Sequence, residues 1–438
     1  MREKEIVKSF FRKYRMDFED IDFTQQYRVF LEEMEEGLKG KDSSLAMIPT
    51  YIEPVDNILL NEPVIALDAG GTNLRAAIIY FNQYRQPIIK DFHKYPMPGT
   101  TGELSRDGFF QALADCVEPL INQSSRIGFC FSYPTDMMPN RDGRLIRFTK
   151  EIKAGAVAGE LIGENLLKAL KERGYSEKKK IVVLNDTTAA LLAGQGTKGN
   201  RSYDSFLGFI LGTGTNACYI ENNANIEKLS DLDPRKSMII NVEWGSFNKH
   251  SRGDMDLELD QSLLDPGFYV FEKMVSGAYI GKLVLTVLKK AGEESLFSFG
   301  FQHALVKIQD LETKDVDDFL HYPPSRENPL ATCLAAGNSK DSILLYWIIE
   351  TILERAAILT AINLSALIKK TGKGFNPCQP VCITVEGTTF FTLKGLREKI
   401  EYYLKKFLWD QMGLYYEFVR VDHASLIGAA IAGLGDGN

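Results

Sequence analysis

Four carboxylates and two glycine-rich turns carry most of the chemistry open to this chain. Asp186 stands where a compact apolar run, residues 181–184, gives way to an Ala/Leu-rich helical stretch. In α/β sheets the crevice at the carboxyl ends of strands is where ligands bind, so Asp186 is the best single candidate for a reacting group. Glu243 follows another apolar run in NVEWGSF, and Glu272 opens an amphipathic stretch in FEKMVSGAY. Asp68 lies at the entry to the turn Gly70-Gly71-Thr72-Asn73, where it can face a metal ion. Glycines let a backbone come close to a phosphate, and Thr72 and Asn73 add short donors. The five histidines share no spacing with carboxylates or cysteines that suggests zinc or a Ser-His-Asp triad. Carboxylates are left as the acid/base groups.

Each feature has an ordinary alternative. Asn and Asp are preferred N-caps, so Asn185-Asp186 can simply start a helix. A carboxylate beside Trp244 is often a surface ion pair, a first-turn Glu272 favours the helix dipole, and Lys150 can be a surface lysine. The glycine turn can be an ordinary tight hairpin. No G-x-x-x-x-G-K-[ST] occurs, which excludes a P-loop. Gly194-x-Gly196-x-x-Gly199 and Gly212-x-Gly214 with Ala217 match a dinucleotide fingerprint by letter, but neither follows a strand and opens a helix. The acidic run 254–265 lacks the central glycine of an EF-hand and reads as a solvated loop.

These groups need elements to hold them. Residues 64–81 run apolar, turn, apolar, which reads as a buried β-hairpin. The pattern returns at 206–221, with Asn216 placed as Asn73 is. Two such hairpins imply two related α/β lobes, each presenting a glycine-rich turn to a shared cleft. Strands over 127–132, 181–184 and 381–386 alternate with helices over 106–122, 157–173, 266–290 and 341–370. That alternation indicates an α/β protein with a largely parallel sheet. Residues 1–47 read as helical and charged, and Pro87, Pro96 and Pro98 read as breaks.

Composition sets outer bounds. The chain has 438 residues, 45% hydrophobic and 25% charged, with a net charge of −7, so no basic face invites a nucleic-acid backbone. Six scattered cysteines form no metal-binding pair and read as reduced, structural thiols. The N-terminal stretch lacks a signal peptide's apolar core. The longest uncharged run in the most apolar helix, 356–368, is too short to span a bilayer. A soluble, cytoplasmic protein is the expectation.

Taken together, the segments resemble the hexokinase family of ATP-dependent sugar kinases, in order along nearly the whole chain. LDAGGTNLR (67–75) is similar to the family's first phosphate motif, FSYPT…LIRFTKEIKA (131–154) to its sugar-binding segment and VVLNDTTAALLAG (182–194) to its catalytic segment. LGTGTNACYIE, NVEWGSF, FEKMVSGAYIGKLV, VEGTTF and HASLIGAAIA follow in register.

The resemblance implies a two-lobed actin-like ATPase (ribonuclease H-like) α/β fold with a central cleft. A small lobe would span 62–184, and a large lobe 1–61 and 185–438. It implies transfer of the γ-phosphoryl group of ATP to a D-hexose 6-hydroxyl. Asp186 would be the general base. Ser132, Thr149, Lys150, Asn185, Asn216, Glu243 and Glu272, with Asp186, would hold the sugar. Asp68, Gly70, Gly71, Thr72, Asn73, Arg75, Gly212 and Thr213 would surround the phosphates, and Gly387 and Thr388 the adenosine. Asp68 and Asp186 would orient Mg²⁺, through water. Ala69, Tyr133 and Glu386 depart mildly from the family's Leu, Phe and Asp. The last motif, His423-Ala424-Ser425-Leu426-Ile427-Gly428, lacks two of the family's glycines, which implies a reshaped adenine or ribose pocket. The competing readings are a narrower glucokinase, a sugar sensor without turnover, and an actin- or chaperone-like ATPase.

Overall fold

The structure, a computed structural model, describes residues 2–55, 57–148, 152–175 and 178–435. Both expected hairpins form. Val64–Gly70 and Asn73–Phe81 pair antiparallel through the Gly71-Thr72 turn. Ser205–Leu211 and Thr215–Asn222 do the same through Gly212–Gly214.

Each hairpin seeds a sheet of the same design. In the first, Pro87–Pro96 adds antiparallel to the outer side, while Arg126–Phe131 and Lys180–Leu184 add parallel on the other. In the second, Ser237–Asn241 takes the antiparallel position, and Val381–Glu386 and Tyr416–Val419 the parallel ones. The short strand Ile48–Pro49 extends its edge. The duplicated hairpin in the sequence is thus the visible part of a duplicated sheet.

Pro87 and Pro96 do not break the chain as expected; they bound a ten-residue strand. It lies at the edge of its sheet, where a missing N–H at either end costs little. Helices are shorter than their apolar patterns suggest. The first ends at Val117 and continues as a 3₁₀ turn, and the next begins only at Ile162. The stretch 266–290 divides into Val270–Val275 and Ile280–Glu293.

Two helices lie between the sheets. Asp186–Thr197 packs on the second sheet, Ala424–Leu434 packs on the first, and the two pack on each other. A Cβ at Gly428 would sit 1.9 Å from the Ala189 carbonyl oxygen, and one at Gly128 1.8 Å from that of Ala429. Only glycine allows this approach. The last helix therefore belongs with the first sheet, although it follows the second in sequence. The long helix Ser339–Lys370 is apolar and long enough to cross a membrane, yet 89% of its most apolar window is buried inside the protein. It packs on Phe23–Leu38, Arg2–Lys13 and Leu396–Leu404. All six cysteines are free, and all but Cys378 are buried.

Candidate active site

The second glycine-rich turn lines the cavity that holds Asp186, and the first lies against Ser132 of the same cavity. Asp68 and Arg75 are directly opposite across the first hairpin, so their side chains share a face. Arg75 Nη1 donates to Asp68 Oδ2 at 3.1 Å. Burial pushes the Asp68 carboxyl up to about 6 despite Arg75, and the charge of Asp186 adds to the rise. Gly71 closes the turn at φ 67°, a left-handed conformation that glycine takes without strain. Tyr133 Oη donates to the Gly71 carbonyl at 2.8 Å. The phenylalanine expected there could not, so this departure ties the sugar segment to the first turn. Ser132 sits beside Gly70, its Oγ 3.7 Å from where a Cβ would be.

The second turn is held from outside. Gly212 O accepts from Gly277 N at 2.8 Å and from Thr389 Oγ1 at 2.9 Å. The helix break after Val275 is what frees Gly277 for this bond. Gly387, at φ 116°, brings its backbone against Leu211; a Cβ there would meet the Leu211 carbonyl at 2.3 Å. Thr213 and Thr388 line a cavity of about 580 Å³ whose far wall includes Lys282, Asp310 and Lys314. Those three were missed. Lys282 lies in the helix Ile280–Glu293, within the FEKMVSGAYIGKLV segment, Asp310 in a loop and Lys314 in the helix Thr313–Leu320.

Beside the second turn lies a cavity of about 550 Å³ lined by Ser132, Asn185, Asp186, Asn216, Glu243 and Glu272. Thr149 and Lys150 lie outside the described residues. Asn185 caps the helix that Asp186 opens, its Oδ1 accepting from Thr187 N at 2.9 Å. The capping alternative is therefore true of Asn185. Asp186 Oδ1 also accepts from Thr187 N, at 2.8 Å, while its carboxylate lines the cavity.

Glu243 is not a surface ion-pair residue. Trp244 beside it is fully buried and bonds Thr215 Oγ1 at 3.0 Å. Glu243 takes φ 57°, unusual for a residue with a side chain. Its Oε1 accepts from Asn241 Nδ2 at 2.7 Å and Asn216 Nδ2 at 2.9 Å. Burial pushes its carboxyl above the ordinary range, Asn241 and Asn216 pull it back, and Asp186 pushes it up. Asn241 opens the NVEWGSF segment, but as the end of an apolar strand it gives no local sign of its bond to Glu243.

Glu272 is half-buried, its Oε2 accepting from Thr215 N at 2.9 Å. The next residue anchors the helix: buried Lys273 donates to Asp260 Oδ1 at 2.7 Å and to the Asp265 carbonyl at 2.7 Å. The acidic run is therefore no solvated loop. It forms the helix Asp254–Ser262, with Asp256 paired to buried Arg355 at 2.7 Å. At the mouth, Arg147 reaches across to Tyr269, Nη2 to Oη at 2.6 Å.

Among the described residues no group of three or more His, Cys, Asp or Glu has metal-site geometry. Asp68 and Asp186, two hard oxygen donors in each other's field, fit Mg²⁺, which takes one or two carboxylates and draws its other ligands from phosphate and water.

Comparison with known proteins identifies the fold and the family. Two profiles described as hexokinase match the chain, over residues 6–195 and 206–434. Hexokinase-1 of Schizosaccharomyces pombe is 28% identical over 423 residues, covering 92% of this chain and 85% of that one. Hexokinase-1 of Spinacia oleracea is 31% identical over 432 residues, covering 91% and 84%. Against human hexokinase-2, 27% identical, the match covers 95% of this chain and 47% of the relative. In fold, a hexokinase from Schistosoma mansoni complexed with glucose superposes with a TM-score of 0.79 at 23% identity, covering 99% of both chains. A further hexokinase crystal structure reaches 0.74 at 23% identity, covering 98% and 96%. With its two-lobed actin-like ATPase fold, the chain belongs to the hexokinase family, phosphotransferases that use ATP to phosphorylate hexoses.

Proposed function

We propose that this protein transfers the γ-phosphoryl group of ATP to the 6-hydroxyl of a D-hexose, glucose first among the candidates, as the entry step of glycolysis. The observation that carries this reading is the cavity beside the second glycine-rich turn in which Asn185, Asp186, Asn216, Glu243 and Glu272 converge. A hexose presents several hydroxyls, and carboxylates and amides can each take one or two of them. A site built to bond hydroxyls rejects analogues lacking them strongly, because its own buried groups are then left unpaired.

Asp186 takes the 6-hydroxyl proton as that oxygen bonds to the γ-phosphorus, while the bond from phosphorus to the β-γ bridging oxygen breaks and ADP leaves. Catalysis of this kind is mainly positioning and charge stabilisation. Asp68 and Asp186 would hold Mg²⁺, which supplies neutralisation of the phosphate charge. Thr72, Asn73, Arg75 and the second turn would cradle the phosphates. The glucose complex of the Schistosoma mansoni relative supports glucose as the first sugar to try. Closure of the cleft over the sugar would exclude water, the competing acceptor.

A coupled assay with ATP, Mg²⁺ and a hexose panel tests this, wild type against Asp186→Ala. We expect the variant to bind sugar while turnover falls by a factor of about 10² to 10⁴. Near wild-type turnover would remove Asp186 from the base role. Folded wild type that binds a hexose but phosphorylates none would favour the sensor reading.

A further inference from the structure

We infer that Asn241 is a positioning residue for the hexose site, its amide locking Glu243 and Asn216 into one hydrogen-bonded arrangement that presents acceptors to the sugar. The inference rests on the proposed hexose site and names a residue that acts on it from behind.

Asn241 is the last residue of the strand Ser237–Asn241 and is only 5% exposed. A carboxylate can only accept hydrogen bonds, and this fixes both neighbouring amides. Asn241 Nδ2, at 2.7 Å, and Asn216 Nδ2, at 2.9 Å, must each donate to Glu243 Oε1. Asn241 Oδ1 is then an acceptor, and Asn216 Nδ2 donates its second hydrogen to it at 2.9 Å. The same oxygen lies 3.4 Å from Thr187 Oγ1, next to Asp186.

Two consequences follow from counting hydrogens. Asn216 has spent both amide hydrogens, and its Oδ1, which accepts from Ala217 N at 2.7 Å, has a second lone pair to offer. On Glu243 both amide bonds fall on Oε1, so Oε2 is the oxygen they leave for a ligand. The network therefore turns two ambiguous groups into two acceptors and demands O–H donors from the substrate. Glu243 also needs such support, because its left-handed backbone is one that side chains rarely hold unaided. Asn241 thereby joins three separate pieces of the site: the second hairpin, the Glu243 turn and the start of the Asp186 helix.

The test is steady-state kinetics and ATP-free hexose binding for wild type, Asn241→Ala and Asn241→Asp. Removing a bond to a charged group predicts a rise in hexose KM of about 10- to 100-fold, with ATP KM within about twofold. The two variants should differ in pH dependence. Asn241→Asp can bond Glu243 only when the pair shares a proton, so its hexose affinity should recover toward wild type as pH falls from 8.5 to 5.5. Asn241→Ala has nothing to recover. Arg147, Asp186, Asp265, Tyr269, Glu272 and Tyr279 line the sugar cavity, Cys218 is paired with position 241 across the strands, and all are common to the three proteins, so the difference between variants isolates position 241. If Asn241→Ala does not fold, Asn241→Asp against wild type carries the same test. Hexose KM within twofold of wild type, or an Asn241→Asp affinity that does not recover at low pH, overturns the inference. Wild type inactive on every hexose would instead overturn the proposed function, so the two failures are distinguishable.

Discussion

Adding one methyl group at Gly214 should displace the Glu272 carboxylate without disturbing the fold. A Cβ built on Gly214 lies 2.5 Å from Glu272 Oε2 and 3.3 Å from its Cδ. Ordinary contact is about 3.5 Å, so the carboxylate must retreat by about 1 Å. Gly214 does not have positive φ, so alanine adds no backbone strain there. What gives way is the far end of a flexible side chain, and what is lost is its bond from Thr215 N, 2.9 Å.

A hydrogen bond to a charged group contributes about 1.5–3 kcal/mol. At 1.36 kcal/mol per factor of ten, Gly214→Ala should lower hexose kcat/KM by about 10- to 150-fold. ATP KM should stay within about twofold, and the thermal midpoint within a degree or two. The assay is the coupled kinase reaction with each substrate varied in turn, alongside a thermal melt. Glu272→Gln, which removes charge but leaves Gly214 intact, should reproduce the hexose defect. A folded Gly214→Ala enzyme with unchanged hexose KM would refute the placement of Glu272 in the sugar site. A defect confined to ATP would assign the turn wholly to the nucleotide.

Two further predictions concern the scaffold. His250 is buried, with Nδ1 2.8 Å from Gln26 Oε1 and Nε2 2.9 Å from Asn363 Oδ1. Burial pushes its imidazole down to about 3; the bond to Asn363 opposes this, and Arg355 adds to the fall. Between the ordinary value of about 6.5 and that depressed value the unfolded chain binds a proton that the folded chain does not, so stability falls as pH falls. From pH 7.5 to 5 the loss from this one group is about 2 kcal/mol. Denaturant unfolding of His250→Gln should lose about that much less than wild type over the same range, and parallel curves would show the imidazole charging inside the fold. Separately, Gly428→Ala puts a Cβ 1.9 Å from a backbone oxygen, where no side chain can yield. It should destabilise by on the order of 3 kcal/mol, seen as a lowered melting midpoint; an unchanged midpoint would mean that the two central helices can separate freely.

The hairpins were legible because a glycine-rich turn between apolar runs is a local signal. The carboxylates were harder to read, since each local alternative was sound on its own terms. Glu272 does lie in the first turn of its helix and gains a bond from Thr215 N besides, while the pair of amides from Asn216 and Asn241 replaces the surface ion pair expected of Glu243. Those partners are remote in sequence or concealed in an apolar strand. The acidic run 254–265 misled for the same reason. Acids read as solvated until Arg355 and Lys273 arrive from distant segments to pair with them. The strand Pro87–Pro96 was concealed by its own ends, because a proline reads as a break unless the sheet edge is known.

The departures in the last motif are better understood in the fold than one by one. The missing glycines suggested a reshaped pocket, yet His423 takes φ 58°, the left-handed turn that a glycine supplies freely and that histidine adopts more readily than most residues. Two residues on, Ser425 Oγ donates to Glu386 Oε2 at 3.0 Å. Glu386 is itself a departure, one methylene longer than the family's Asp, so the two changes meet in a single contact. That contact joins the strand Val381–Glu386 to the helix packed on the first sheet. Burial pushes the Glu386 carboxyl up to about 7; Ser425 holds it back, while Asp186 and Asp68 push it up. The altered motif thus carries a hydroxyl that steadies a third carboxylate beside the proposed base.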